Sequence, residues 1–279
     1  MHKKRWITGL SALPFLVGLI SWGGTTLFAW VVALVSLVGI WESFRILFPR
    51  KMGPDKDPVP VSGNPDICFQ GLSVVSGLVI LSASFFNAFH LMVSILALNL
   101  MTAAFISMLW FRHGAGILHQ VYRQILVVLY VPFFLSHLIL IRNGMDGILW
   151  IYLLLCLVFA GDIGAFYMGT YAGKHKLCPS ISPGKTIEGA VGGLISTLGI
   201  GALFKFLFLP GLPWAGSILL FIAAGIAGQA GDLFESELKR ASGIKDSGGI
   251  FPGHGGLLDR IDALLFAAPV AYMVKEYVL

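Results

Sequence analysis

This chain is dominated by apolar runs long enough to cross a lipid bilayer. A spanning helix needs about 20 apolar residues, and in hydrocarbon each backbone N–H and C=O must be satisfied within its own segment. Nine candidates meet that rule, at roughly 6–22, 25–48, 67–86, 88–110, 122–141, 148–168, 187–209, 214–231 and 260–279. The composition agrees, with 57% hydrophobic and only 12% charged residues, where soluble domains carry roughly 25% charged. The expectation is an all-α, polytopic integral membrane protein of about nine transmembrane helices. The first run has the look of a signal peptide. Apolar sequence resumes directly after "SWGGTT" with no clear cleavage site, so it reads as an anchor. Cys68, Cys156 and Cys178 are dispersed and match neither a metal site nor a disulfide framework.

Loops alternated from a cytoplasmic N-terminus put Arg142, Lys205 and Lys275 outside and the other sixteen of the 19 basic residues inside. That asymmetry follows the positive-inside rule. The formal net charge of +5 then reads as cytoplasmic loops and anionic lipid headgroups, and no basic–aromatic groove favours nucleic acid. Three hydrophilic segments face the cytoplasm in this scheme: 49–66, 169–186 and 232–259. The first carries no identifiable chemistry. Charge concentrates late, so 1–121 reads as a transmembrane scaffold region and 122–279 as a catalytic region with cytoplasm-facing loops.

Residues 243–262, "GIKDSGGIFPGHGGLLDRID", hold Lys245, Asp246, His254, Asp259, Arg260 and Asp262 among six glycines. Glycine lets backbone N–H groups approach an anion closely. Gly255 and Gly256 with Lys245 and His254 therefore suit phosphate, although glycine is also ordinary in an inter-helix hairpin. Asp259 and Asp262 stand at i, i+3 on a helix start beside Arg260, where the helix dipole alone favours a carboxylate. Upstream, "GDLFESELKR" puts Asp232, Glu235 and Lys239 on one helical face. That face makes an oxygen cage for a hard cation beside an ammonium, or more plainly a solvated helix with internal salt bridges.

"SISPGKTIEG" contains Gly-Lys-Thr without the earlier glycine of a P-loop, because position 179 is proline. Ser182, Lys185 and Thr186 opening a helix still make an anion site, with Glu188 capping that helix or pairing with Lys185. Asp162 lies within an apolar run, where a carboxylate is costly and by default faces the bundle interior and a partner. Gly161, Gly164, Ala165 and Gly169 nearby admit close approach of a helix or ligand. Glu42, with Arg45 at i, i+3, reads as ending its helix. His90, His113, His119 and His137 form no metal-like grouping and read as packing residues.

Carboxylates that gather cations thus sit beside Lys, Arg and glycines that hold polyphosphate, as phosphoryl or nucleotidyl transfer requires. With no Ser-His-Asp or Cys-His arrangement, the attacking group is a substrate phosphate. A transporter or channel would spread intramembrane charge over several spans, whereas Asp162 is the chief deep one. A structural scaffold needs no clustered carboxylates.

The stretch from Ser236 to Asp262 resembles the signature of the phosphatidate cytidylyltransferase (CDP-diacylglycerol synthase) family, S-x-x-K-R, then K-D, then P-x-H-G-G-x-x-D-R-x-D, at each fixed position. "GDIGAFYMG", "GKHKL" and "SPGKT.EG" resemble the family's upstream segments in the same order. The resemblance covers roughly 159–279 in detail. It implies conversion of CTP and phosphatidate to CDP-diacylglycerol and pyrophosphate at the cytoplasmic face of the inner membrane, by a homodimer using Mg2+ and a second, monovalent cation such as K+. Carried over by position, Asp232 and Asp259 lead as metal ligands, with Glu235, Asp246 and Asp262 behind them. Lys185, Lys239, Arg240, Lys245, His254 and Arg260 would bind phosphate, and Asp162 and Gly169 would shape the nucleotide pocket. The alternative within this chemistry is a CTP-dependent transferase acting on an isoprenoid or archaeal ether-lipid phosphate.

Overall fold

The structure, a computed structural model, describes residues 14–47, 65–113, 116–244, 246–248 and 255–279. Lys245, His254 and nearly all of the 49–66 segment lie outside the described residues.

Helix α1 covers residues 14–22, and α2 follows as Gly24–Leu47. Next come α3 (Pro65–Phe85), α4 (Phe89–Trp110), α5 (Ile117–Val128), α6 (Phe134–Asn143) and α7 (Gly147–Tyr171). Strands β1 (Lys176–Cys178) and β2 (Ser182–Thr186) form an antiparallel hairpin before α8 (Ile187–Phe208), α9 (Trp214–Ala241) and α10 (Leu258–Tyr277). Seven helical stretches among the described residues are long and apolar enough to cross a membrane, with α5 and α6 counted as one. The architecture is all-α and polytopic. The last candidate, α10, is not among the seven: it carries Asp259, Arg260, Asp262, Lys275 and Glu276 within 20 residues.

The α5–α6 run is interrupted by a π turn, Leu129–Phe133, that contains Pro132. Proline has no N–H to complete the ladder, so the helix widens there instead of continuing regularly. Polar side chains tie the N-terminal helices. Asn99 Nδ2 donates to Ser76 Oγ at 2.8 Å, and Gln124 Nε2 to Asn99 Oδ1 at 3.3 Å. His137 is buried against Phe133 and Tyr272, a packing role as expected.

The most extensive helix pair is α7 against α8. A Cβ on Gly193 would stand 2.8 Å from the Gly161 carbonyl oxygen, and one on Gly161 would stand 2.9 Å from Thr197 Oγ1. Only small residues permit that separation, so the neighbour admitted by the glycines around Asp162 is α8.

The helices alternate between two ends. At one end Arg142 Nη2 donates to the Ile20 carbonyl, Lys275 Nζ to those of Ile141 and Met145, and Lys205 Nζ to that of Pro210. These three cations are the ones assigned outside from the sequence. The charged ends of α2, α7, α9 and α10 meet at the other end, where the hairpin lies.

Candidate active site

At this second end, a cleft of about 530 Å³ opens between α7, the β hairpin, α8 and α9. Its wall includes Asp162, Gly169, Lys185, Thr186 and Asp232, all singled out from the sequence, together with Gln229. Phe166, Leu177 and Leu233 add apolar side chains to the wall. That volume is ordinary for a small-molecule site, roughly 300–1,000 Å³.

Each polar group reaches the cleft for a local reason. The hairpin returns the chain so that β2 delivers Lys185 next to α8. Lys185 Nζ meets Asp232 Oδ2, on α9, at 2.7 Å. Thr186 is the N-cap of α8, its Oγ1 accepting from the Gly189 N–H at 3.1 Å. Glu188 takes neither expected role, since Thr186 caps the helix and Lys185 is engaged by Asp232. It accepts instead from the backbone N–H groups of Lys174 and His175 and lies 2.6 Å from His175 Nδ1. The Glu188 carboxylate thereby fastens the start of the hairpin to α8. Ser182 lies on β2, at the far end of the strand from the α8 N-terminus. Asp162, two turns before the end of α7, opens into the cleft. Gln229 Nε2 donates to the Ala190 carbonyl at 2.9 Å and braces α9 against α8.

A second cluster sits where α9 meets α10. Lys239 pairs with Glu235 one turn earlier, and its Nζ lies 2.5 Å from Asp259 Oδ1. Glu235 is 1% exposed, Lys239 13% and Asp259 11%. The Glu235–Lys239 pair is therefore internal to the protein, not a solvated surface bridge. Asp259 Oδ2 accepts from the Gly256 N–H at 2.7 Å, from Ser247 Oγ at 2.9 Å and from the Ser247 N–H at 3.1 Å. The Gly256 N–H is thus given to the protein's own carboxylate in this arrangement, not left open to a phosphate. Gly255 has φ +80, and a Cβ there would strike Asp259 Oδ2. Tyr130, in the π turn, packs on Phe234 and Phe266 beneath this cluster.

The two clusters are electrically continuous. Asp162 feels Asp232, Asp262 feels both, and Glu235 feels Asp259 and Asp262, with Lys185 and Lys239 as counter-charges. Five carboxylates and two lysines share this region, and the carboxylates offer only hard oxygen donors, which suits a hard divalent cation. Among the described residues, no three His, Cys, Asp or Glu side chains are gathered around one point as a ready cage. Magnesium ordinarily needs no such cage, taking one or two carboxylates plus waters and substrate phosphates.

Of the remaining predicted residues, Arg240 Nε donates to the Ile181 carbonyl at 3.3 Å and holds the hairpin, while Asp246 and Arg260 are exposed. Glu42 is the residue sequence reasoning misread. It is 0% exposed, and it accepts from the Leu257 and Leu258 N–H groups at 3.0 and 2.9 Å. Arg45 lies over the Trp41 ring. The available signal was that Glu42 is the first acidic residue in the chain. Its nearby arginine offered a local partner that hid the distant one.

The model of the cytidylyltransferase family matches residues 3–278. A phosphatidate cytidylyltransferase of Staphylococcus haemolyticus is 33% identical over 271 residues, 96% of each chain. One from Bacillus subtilis is 39% identical over 150 residues, 53% of this chain and 56% of that protein. One from Mycobacterium leprae is 41% identical over 144 residues, 51% of this chain and 46% of that protein.

Proposed function

The chain belongs to the cytidylyltransferase family, and from that premise we propose that it joins CTP to phosphatidate, giving CDP-diacylglycerol and pyrophosphate. One observation carries the reading. The same cleft is lined by the Lys185–Asp232 pair and Asp162 and by the apolar side chains of Phe166, Leu177 and Leu233. A polyphosphate and a lipid headgroup can therefore meet at one boundary.

In this reading the lipid phosphate oxygen attacks the α-phosphorus of CTP in line. The bond from that phosphorus to the β-phosphate bridging oxygen breaks, and pyrophosphate leaves. A phosphate monoester has its second pKa at about 6, so the attacking oxygen is already ionised at neutral pH and needs no strong base. Lys185 lines the cleft and can exchange Asp232 for a phosphate oxygen. Lys239, held by Glu235 and Asp259, keeps a positive charge among the carboxylates. The start of α8 lines the same space, with its Ile187 N–H given to the His175 carbonyl and its Gly189 N–H to Thr186 Oγ1. Thr186 and Gln229 fix that helix against its neighbours.

A magnesium ion, when bound, neutralises phosphate charge and steadies the leaving pyrophosphate. Asp232 and Asp259 would hold it, with Asp262 and Glu235 beside them, and a monovalent cation such as K+ belongs to the same reading. The site faces the cytoplasm of a bacterial inner membrane, where CTP is, because basic residues assigned inside, among them Lys174, Lys185, Lys239 and Arg240, share its end. The active form is a homodimer.

Purified protein supplied with radiolabelled CTP, phosphatidate and magnesium should yield labelled lipid and pyrophosphate. An isoprenyl phosphate tested in parallel should give little product. Labelling of that lipid instead of phosphatidate would overturn the substrate assignment.

A further inference from the structure

Glu42 has no part in the cleft, yet it is among the most heavily engaged carboxylates in the protein. Its two oxygens accept from three donors: Leu257 N–H at 3.0 Å, Leu258 N–H at 2.9 Å and Ser247 Oγ at 3.3 Å. The partners lie 215, 216 and 205 residues away in sequence. Leu257 and Leu258 open α10, where the first N–H groups have no intrahelical acceptor. A carboxylate there is also favoured by the helix dipole. Glu42 therefore caps α10 from α2.

The loop is shaped around this carboxylate. A Cβ on Gly256 would stand 2.5 Å from Glu42 Oε1 and 2.6 Å from Oε2, and one on Gly248 would strike Oε1. Ser247 links two acids, since its single hydroxyl proton faces Asp259 Oδ2 at 2.9 Å and Glu42 Oε2 at 3.3 Å. Asp259 in turn holds Lys239. A continuous chain of contacts thus runs from α2 through Ser247 and the α10 N-terminus to the acid and the lysine assigned to phosphate chemistry.

We infer that Glu42 is a positioning residue for the reaction, setting where Asp259 and Lys239 stand by pinning Ser247 and the first turn of α10. The inference rests on the proposed cytidylyl transfer. Glu42 is buried and does not touch substrate. Its replacement should therefore slow turnover more than it weakens nucleotide binding. Glutamine is the informative change, because its NH2 would face donors that only an oxygen can accept.

The test compares wild type, E42Q, E42D, S247A and E42Q/S247A by kcat and KM for labelled CTP, per molecule of monodisperse protein. E42Q should lower kcat by at least about tenfold, as small misplacements of catalytic groups do, with KM for CTP within roughly threefold. E42D, which keeps both oxygens, should recover part of the loss. E42Q/S247A should lose little more than E42Q, because both changes act through one contact with Asp259. Amide exchange at Leu257 and Leu258 should accelerate in E42Q. A folded E42Q with kcat within roughly twofold of wild type, a loss confined to KM, or multiplicative losses in the double variant would overturn the inference. If E42Q does not fold, E42D and S247A decide it: wild-type kcat in both overturns it, and a fall in kcat at near-constant KM in both supports it. No labelled lipid from wild type would overturn the activity and this inference with it. Active wild type with equally active E42Q would overturn the inference alone.

Discussion

Lys185 on the hairpin and Asp232 on α9 meet at 2.7 Å in the wall of the cleft, their side chains 25% and 37% exposed. The pair closes two elements over one space and gives each a partner that a phosphate or a cation can displace. Its strength as a fold-holding bridge is small, because partly exposed ion pairs contribute only about 0–1 kcal/mol.

Lys185→Met and Asp232→Asn should therefore leave the protein folded while removing most activity. A fall in kcat/KM of roughly 100-fold or more is expected, the scale seen when one preorganised charge contact is deleted. Turnover with labelled CTP, alongside detergent size-exclusion profiles, checks both halves of the statement. Near-normal rates in both variants would remove this pair from the mechanism.

Lys239 differs because its partners are buried. Lys239→Met leaves Glu235 and Asp259 facing each other without a cation. Breaking a buried ion pair from one side costs on the order of 3 kcal/mol. Thermal unfolding in detergent should show a lower midpoint for Lys239→Met than for Lys185→Met, with activity lost in both.

The α7–α8 contact is testable by volume. Gly193→Val should force the helices apart, because its Cβ would meet the Gly161 carbonyl oxygen at 2.8 Å. Overpacking of that kind costs typically about 1–3 kcal/mol, and here it would also shift Asp162 relative to Lys185. Gly199→Ala, on the same helix with nothing within 4 Å of its Cβ, should be silent. Melting temperature and turnover measured on the two variants side by side decide the matter.

Metal dependence follows from the excess of carboxylates over lysines. Chelation with EDTA should abolish turnover and added magnesium should restore it. Calcium, larger and more loosely coordinated, should restore far less. Full activity of chelated, metal-free protein would remove the ion from the mechanism.

Several features were readable from composition and spacing alone. Apolar runs of about 20 residues oblige helices, because hydrocarbon offers the backbone no other hydrogen-bond partner. The glycines around Asp162 announced a close neighbour, and α8 is that neighbour. "SPGKT" announced Lys185 and Thr186 near a helix start, although the strand that carries them came only with the hairpin.

Local reasoning failed where a partner is distant in sequence. Glu42 stands three residues from Arg45, and adjacency suggested a pair; the fold brings the α10 N-terminus to it instead, with donors that outnumber one arginine. Gly256, three residues before Asp259, donates to it and also makes room for the distant Glu42. Helix identity and lipid exposure are properties of a segment and its solvent, so the residues themselves determined them. Which partner each carboxylate meets depends on packing between separate segments, 20 residues apart for Lys239 and Asp259 and 216 for Glu42 and Leu258, and only the tertiary structure decided that.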